Sequence, residues 1–399
     1  MGGFARPVTL LGGAIAMAVL AACGGQAGQD GPDGAGPATP AATGTSAAGA
    51  VAADKPAAAR ASTAAPAARP AVPAAMPRYG NPAGKARVPA AARAVDTSHP
   101  DHVIGTGSPS GCTSAAVVRA VALGGVITFD CGPEPVTIVM TQTAKVVNTA
   151  HDVVIDGGGK VTLSGDGRVE ILYLDTCDKR QVWTTSDCYD QEWPSLTVQN
   201  ITFTRGYSGT RQGSSGQPYG GGAIFAEGGQ LKAVNSRFIR NGCYRYGPDL
   251  GGGAIRALAQ WENRPVYITD DTFSGGRCSN GGALSSISVQ WDVLNSTFTG
   301  NQAVGWGANP AASGTPGGGS GGAIYLDGVK DNVLISGSVF RDDTAREGGG
   351  AIFDVVDQYW GALTLRDCTL SANVSGEFQN YPGIFYDLDG KTRPPAVTG

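Results

Sequence analysis

The segment FRDDTARE, residues 340–347, crowds Arg341, Asp342, Asp343, Arg346 and Glu347 into eight positions. Acids at that density could gather a Ca²⁺ ion and acidify the proton beside a uronate carboxylate, with an Arg as base: the chemistry of a polysaccharide lyase. A few residues on, FDVVDQ carries Asp354 and Asp357. Glycoside hydrolysis needs two carboxylates about 5–10 Å apart across a cleft. Asp354 and Asp357 are candidates, and Asp354 shares the strand parity of Ile352, which points it inward.

A third set follows a recurring tetrapeptide. GGAI stands at 221–224, 252–255, 321–324 and 349–352, with GGAL at 281–284. The position after it holds Phe225, Arg256, Ser285, Tyr325, Phe353 and, in the degenerate copy PGIFYD, Phe385. Such chemical freedom implies an outward position, with Tyr325, Phe353 and Phe385 stacked as an exposed ladder. Two residues further on are Glu227, Asp327 and Asp387, on the same face. Rings that pack on the C–H face of a pyranose, beside acids that bind hydroxyls, make a sugar platform. The bland alternative is that the rings pack under neighbouring loops or only stabilise a stack.

The repeat that must position these side chains has a second signature. A corner residue stands three positions ahead of a large apolar one: Asn200 and Phe203, Asn235 and Phe238, Asp270 and Phe273, Asn295 and Phe298, Gly337 and Phe340, Asp367 and Leu370. Two and four residues before each corner the chain is apolar, so two short strands meet at a bend. The copies are 35, 35, 25, 42 and 30 residues apart, the range of stacked units that cannot bury a face alone. Period-two alternation broken by glycines excludes helical repeats, and a propeller blade needs four antiparallel strands where this repeat has room for about three. A right-handed parallel β-helix fits, with coils about 4.8 Å apart and Asn200 bonded to Asn235 along the stack. Glu227 and Asp327 then lie three coils, roughly 14 Å, apart, too far for a hydrolytic pair. Asp343 falls on the Asn place of Phe-x-x-Asn, where turn chemistry accounts for it as well as catalysis does.

The excursions 204–219, 241–250 and 305–320 all fall between the Phe strand and the next GGAI, and insertions confined to one corner frame a binding face. They contribute Tyr244, Tyr246 and Trp306 to the candidate platform.

Cys243 and Cys278 each follow their own corner by eight residues. They therefore occupy equivalent positions on adjacent coils, within disulfide reach. Cys112–Cys131 and Cys177–Cys188 are the natural remaining pairs and suit an oxidising compartment. Cys368 is left over as an inward, unreactive thiol. CTSAAVVRAVALGG predicts a capping helix with Thr113 or Ser114 at its start, a stripe of Val117, Val118 and Val121, and Gly124 just past its end.

The N-terminus reads as a targeting device. An apolar stretch from Val8 to Ala22 ends in Leu20-Ala21-Ala22-Cys23, which resembles a bacterial lipobox; this implies a signal over 1–22 and a lipid on Cys23. Residues 23–94 are Ala/Pro/Gly-rich and read as a disordered tether, leaving 95–399 as the β-helix domain.

The pairing of GGAI with Phe-x-x-Asn, complete at Phe238–Asn241 and Phe298–Asn301, resembles the repeats of bacterial polymorphic outer-membrane proteins. More broadly, residues 100–390 resemble the pectin-lyase-like superfamily of right-handed β-helices. The resemblance implies the fold and leaves function open among lyases, hydrolases, adhesins and passengers. The expectation is a monomeric, lipid-anchored protein outside the cytoplasm, at the outer membrane or cell surface of a bacterium, that binds polysaccharide or another cell-surface polymer. The alternatives are a polysaccharide lyase or glycoside hydrolase, or an adhesin or structural stalk. A net charge of −4 without a basic stripe argues against nucleic acid. Three histidines in no ligand spacing argue against a resident metal, Ca²⁺ entering only with the lyase.

Overall fold

The computed structural model describes residues 76–182, 184–209, 220–308, 314–357 and 360–399. The signal, Cys23 and the tether as far as residue 75 lie outside the described residues. From His102 onward the chain is a right-handed parallel β-helix built of four stacked sheets, here sheet I (ten strands), sheet II (eight), sheet III (four short strands) and sheet IV (nine). One coil reads Val266–Thr269 in sheet I, Thr272–Ser274 in sheet II, Arg277–Cys278 in sheet III and Leu284–Ile287 in sheet IV. Each strand pairs in parallel with its counterpart one coil away, as in Val266↔Trp291 and Leu284↔Ile324. The short pairing of Lys391–Thr392 with Asp387–Leu388 is antiparallel.

The corners explain the repeated polar letter. Asn200, Asn235, Asp270, Asn295 and Asp367 all have φ between 47° and 57°, the left-handed region that Asn and Asp tolerate better than other side chains. Gly337, the odd letter, has φ 62° and meets the same demand without a Cβ. The expected ladder forms: Asn235 Nδ2 donates to Asn200 Oδ1 at 2.8 Å, and Asn200 Nδ2 to Asp156 Oδ1 at 3.1 Å. One residue on, a second, buried ladder runs from the Ser236 amide to Asp271, from the Asp271 amide to Ser296, and from the Ser296 amide to Ser338. Cys368 takes the next place in that column. Its thiol is half-buried, donates to the Ile335 and Arg366 carbonyls, and burial raises its pKa.

Inside the coil, Phe203, Phe238, Phe273, Phe298 and Phe340 stack with centroid spacings of 5.2, 4.6, 4.9 and 4.5 Å. Stacked pairs add about 0.5–1.5 kcal/mol each beyond area burial. The GG pairs solve the re-entry into sheet IV. Gly221 adopts φ 68°, and a Cβ on Gly222 would collide with the converging carbonyl oxygens of Gly206, Gly242 and Gly253.

Helix α1, Ser114–Leu123, lies at the N-terminal end, capped by Thr113, whose side chain accepts from the Ala116 amide, and closed by Gly124. Val117 and Val121 are fully buried, which covers sheet edges that would otherwise be open to pairing. All three expected disulfides are present, and the Cys243–Cys278 Cα atoms are 4.7 Å apart across adjacent coils.

Residues 76–94, assigned above to the tether, instead lie along the polar corner. The Tyr79 amide donates to Asn235 Oδ1, Asn81 Nδ2 to the Gly337 carbonyl, and the Ala86 amide to Asn295 Oδ1. The chain then turns back: Lys232 Nζ bonds the Ala91 and Arg93 carbonyls, Gln199 pairs with both main-chain groups of Val95, and Thr97 reaches Asp156. Composition misses this strap because most of its bonds come from the main chain, which Ala, Pro and Gly carry as well as any residue except for the missing proline N–H.

Candidate functional site

The column after GGAI faces away from the coil interior, as its chemical variety implied. Ile224 and Ala226 belong to the main core while Phe225 joins a separate cluster with Tyr173 and Leu258. Outward is not exposed, however. Phe225 is 0 %, Tyr325 6 % and Phe353 3 % accessible, and Arg256 and Ser285 are fully buried. The ladder exists, with Tyr325, Phe353 and Phe385 stacked at 5.2 Å spacings, but Phe378 lies edge-on against Phe353 and Phe385. The correction has a simple cause: strand parity gives the direction of a side chain and says nothing of what a loop lays over it. Phe385, half-buried, remains the most open of the stacked rings.

Between the two aromatic runs sits a buried cation. Arg256 Nη2 donates to the Asp249 carbonyl at 2.7 Å and Nη1 to Ser285 Oγ. Burial lowers its pKa, opposed by Tyr325, Asp249, Asp327 and Glu227. Tyr325 Oη donates to Asp327 Oδ2 at 3.0 Å. Asp327 is half-buried, and burial pushes its carboxyl up to about 6 against the Tyr325 hydrogen bond. Asp387 is buried and raised for the same first reason.

Glu227 has a neighbour that the repeat did not reveal. It aligns with Asp175 on the adjacent strand, and Asp175 and Glu227 are both fully buried. One coil step of about 4.8 Å is near the separation of a retaining glycosidase pair, but Asp175 is already engaged by Tyr173 Oη and the Cys177 amide. Tyr173 Oη also lies 3.0 Å from Asp178. Burial works against ionisation of Asp178, yet hydrogen bonds led by Arg180 hold it down at about 2. The coil at 172–175 lacks GGAI; the usable signal was Tyr173-x-Asp175, the same spacing as Phe225-x-Glu227.

FRDDTARE does not converge. Arg341 and Asp342 pair with each other at 3.5 Å on the surface. Asp343 is buried in the Phe-x-x-Asn column, where it accepts from the main chain and side chain of Asn301, and burial pushes it to about 7. Arg346 lies 5.2 Å over the Trp306 ring, and Glu347 accepts the Gly307 amide. Among the described residues no three acids, histidines or cysteines are gathered to hold a metal. Asp354 is fully buried and inward, as its parity required, while Asp357 is exposed; opposite faces of one strand end do not make a catalytic pair.

Two of the excursions come together, while residues 210–219 of the first and 309–313 of the third lie outside the described residues. The Gly317 carbonyl accepts from both the Trp306 and the Gly247 amides, tying the loop of Tyr244 and Tyr246 to that of Trp306. Tyr244 is 38 % accessible and meets Tyr246 edge-on at 5.9 Å. Arg245 lies 4.5 Å over the Tyr246 ring. The result is a wall of rings and guanidinium groups along the edge of sheet IV. No family model, curated protein or solved structure matches the chain.

Proposed function

We propose that this protein is a β-helix of the pectin-lyase-like kind, displayed outside a bacterial cytoplasm by a lipid on Cys23, that binds polysaccharide at the loop wall beside sheet IV. One observation carries the reading: the shared Gly317 carbonyl, which joins loops of different coils so that Tyr244, Tyr246 and Trp306 stand on one edge. Rings paired with Arg245 and Arg346 offer stacking and charge together, as recognition of a sugar polymer requires. The buried ladder beneath is then the foundation of the site rather than its surface.

The test is a glycan array probed with the full chain, followed by titration of any hit. Trp306→Ala or Tyr246→Ala should weaken binding about tenfold, which corresponds to about 1.4 kcal/mol. Unchanged affinity in both variants sinks the reading. For the anchor, Cys23→Ser should move the chain from the membrane to the soluble fraction.

One observation favours an enzyme instead. Asp327, held near 6 beside the Tyr325 hydroxyl, is poised for proton transfer. Release of unsaturated products from uronate polymers, lost in Asp327→Asn, would replace binding with lysis.

A further inference from the structure

A second surface stands apart from that wall, at the turns that lead from sheet IV into sheet I. Asn263, Gln290, Lys330, Asn332, Trp360 and Gly361 line a cleft of about 530 Å³ there. The strands that follow these turns align as Val266↔Trp291↔Val333↔Leu363. The cleft therefore crosses four successive coils, three steps of about 4.8 Å or roughly 14 Å.

Trp360 is the distinguishing residue. Among the described tryptophans, Trp291 is buried with its indole N–H on Ser286, Trp193 packs on His151, and Trp261 and Trp306 lie under Arg264 and Arg346. Trp360 has no such partner among the described residues and is 69 % accessible. A large apolar ring left in water costs free energy that a ligand face would recover. The amide side chains of Asn263, Gln290 and Asn332 make no hydrogen bond to the described residues, so their donors and acceptors face the cleft unspent. Lys330 is exposed and, among the described residues, lies in no ion pair and shares the cleft lining with no carboxylate. Gly361 lets the chain pass close to the coil, where a Cβ would crowd the Asp331 carbonyl and the Val356 methyls.

We infer that this cleft is a saccharide site, distinct from the loop wall, which takes a linear oligosaccharide carrying an acidic substituent. The indole supplies a stacking face, three amides supply paired donors and acceptors for hydroxyls, and Lys330 supplies one fixed positive charge. One ammonium on a chain of net charge −4 is too little for nucleic acid. The lining has no apolar pocket of the sort that peptide side chains fill.

The experiment uses the full chain and two probes, a chondroitin sulfate hexasaccharide and neutral cellohexaose, titrated by calorimetry and tryptophan fluorescence. The acidic probe should bind and shift the fluorescence. Trp360→Ala should weaken it at least tenfold with the melting temperature unchanged. Lys330→Gln should weaken the acidic probe several-fold and leave the neutral one unaltered. Trp306→Ala should leave this binding intact. Failure of the native chain to bind either probe, or equal affinity in Trp360→Ala, overturns the inference. Binding lost in Trp306→Ala but kept in Trp360→Ala overturns it too, and supports the loop wall instead.

Discussion

Asp331 and Asp354, from successive coils, are both fully buried, and none of their four carboxyl oxygens has a hydrogen-bond partner among the described residues. Burial and then the nearby Asp354 push Asp331 up to about 9, and burial raises Asp354 well above the ordinary carboxylate range. Asp331 is therefore neutral in the folded chain at pH 7 and Asp354 is shifted in the same direction, while the unfolded chain ionises both near pH 4. Above pH 4 the folded state holds more protons than the unfolded one, so stability falls as pH rises, by up to about 1.4 kcal/mol per pH unit for each such group. Urea midpoints should drop between pH 5 and pH 8, and Asp331→Asn should flatten that slope and raise the midpoint at pH 8. A native midpoint that climbs over this range contradicts the assignment.

The corner ladder makes a prediction about ranking. Asn235 combines a left-handed backbone with bonds to Asn200, Pro77 and Tyr79. Asn235→Ala loses both and should cost about 1–3 kcal/mol. Asn235→Gly keeps the backbone preference, as Gly337 does naturally, and should cost less. Chemical denaturation orders the two; equal losses would show that only the side-chain bonds count.

Phe298 lies between Phe273 and Phe340 with no exposed surface. Phe298→Ala should cost about 3–5 kcal/mol, and Phe298→Leu, the residue type that ends the column at Leu370, should cost markedly less. Hydrogen exchange should show the loss centred on the three coils that share the stack, because repeat units couple mainly to their neighbours.

The Cys243–Cys278 bridge closes a loop with a sequence separation of 35. Replacing both cysteines by serine should cost about 2–4 kcal/mol, and reductant should destabilise the native chain but not that variant by this route. Melting curves with and without dithiothreitol decide it.

What was legible in the chain was whatever repeats. Asn200 and Asn235, the Phe column and the Cys243–Cys278 register all recur because each coil imposes the same corner, the same filling and the same neighbour. The site was less legible because its residues meet through loops. Nothing in the parity of Phe225 or Tyr325 encodes the cover above them, and Gly317 carries no signal that its carbonyl will join two excursions. Asp331 escaped notice since it sits in a turn between repeats, and Asp175 since its coil lacks the GGAI tag. Trp360 stood in no column at all.

The strap over residues 76–97 gives the molecule a mechanical fuse. It rises from the coil of Asn235 to that of Gly337 and returns to Asp156 along one corner. A pull on the chain ahead of Met76 therefore meets the bonds at Asn235 and Asn295 one after another, as in a zipper, before tension reaches the capped first coil. Each bond that yields frees a further length of strap, so the corner bonds bear the load before the cap and the stack behind it do.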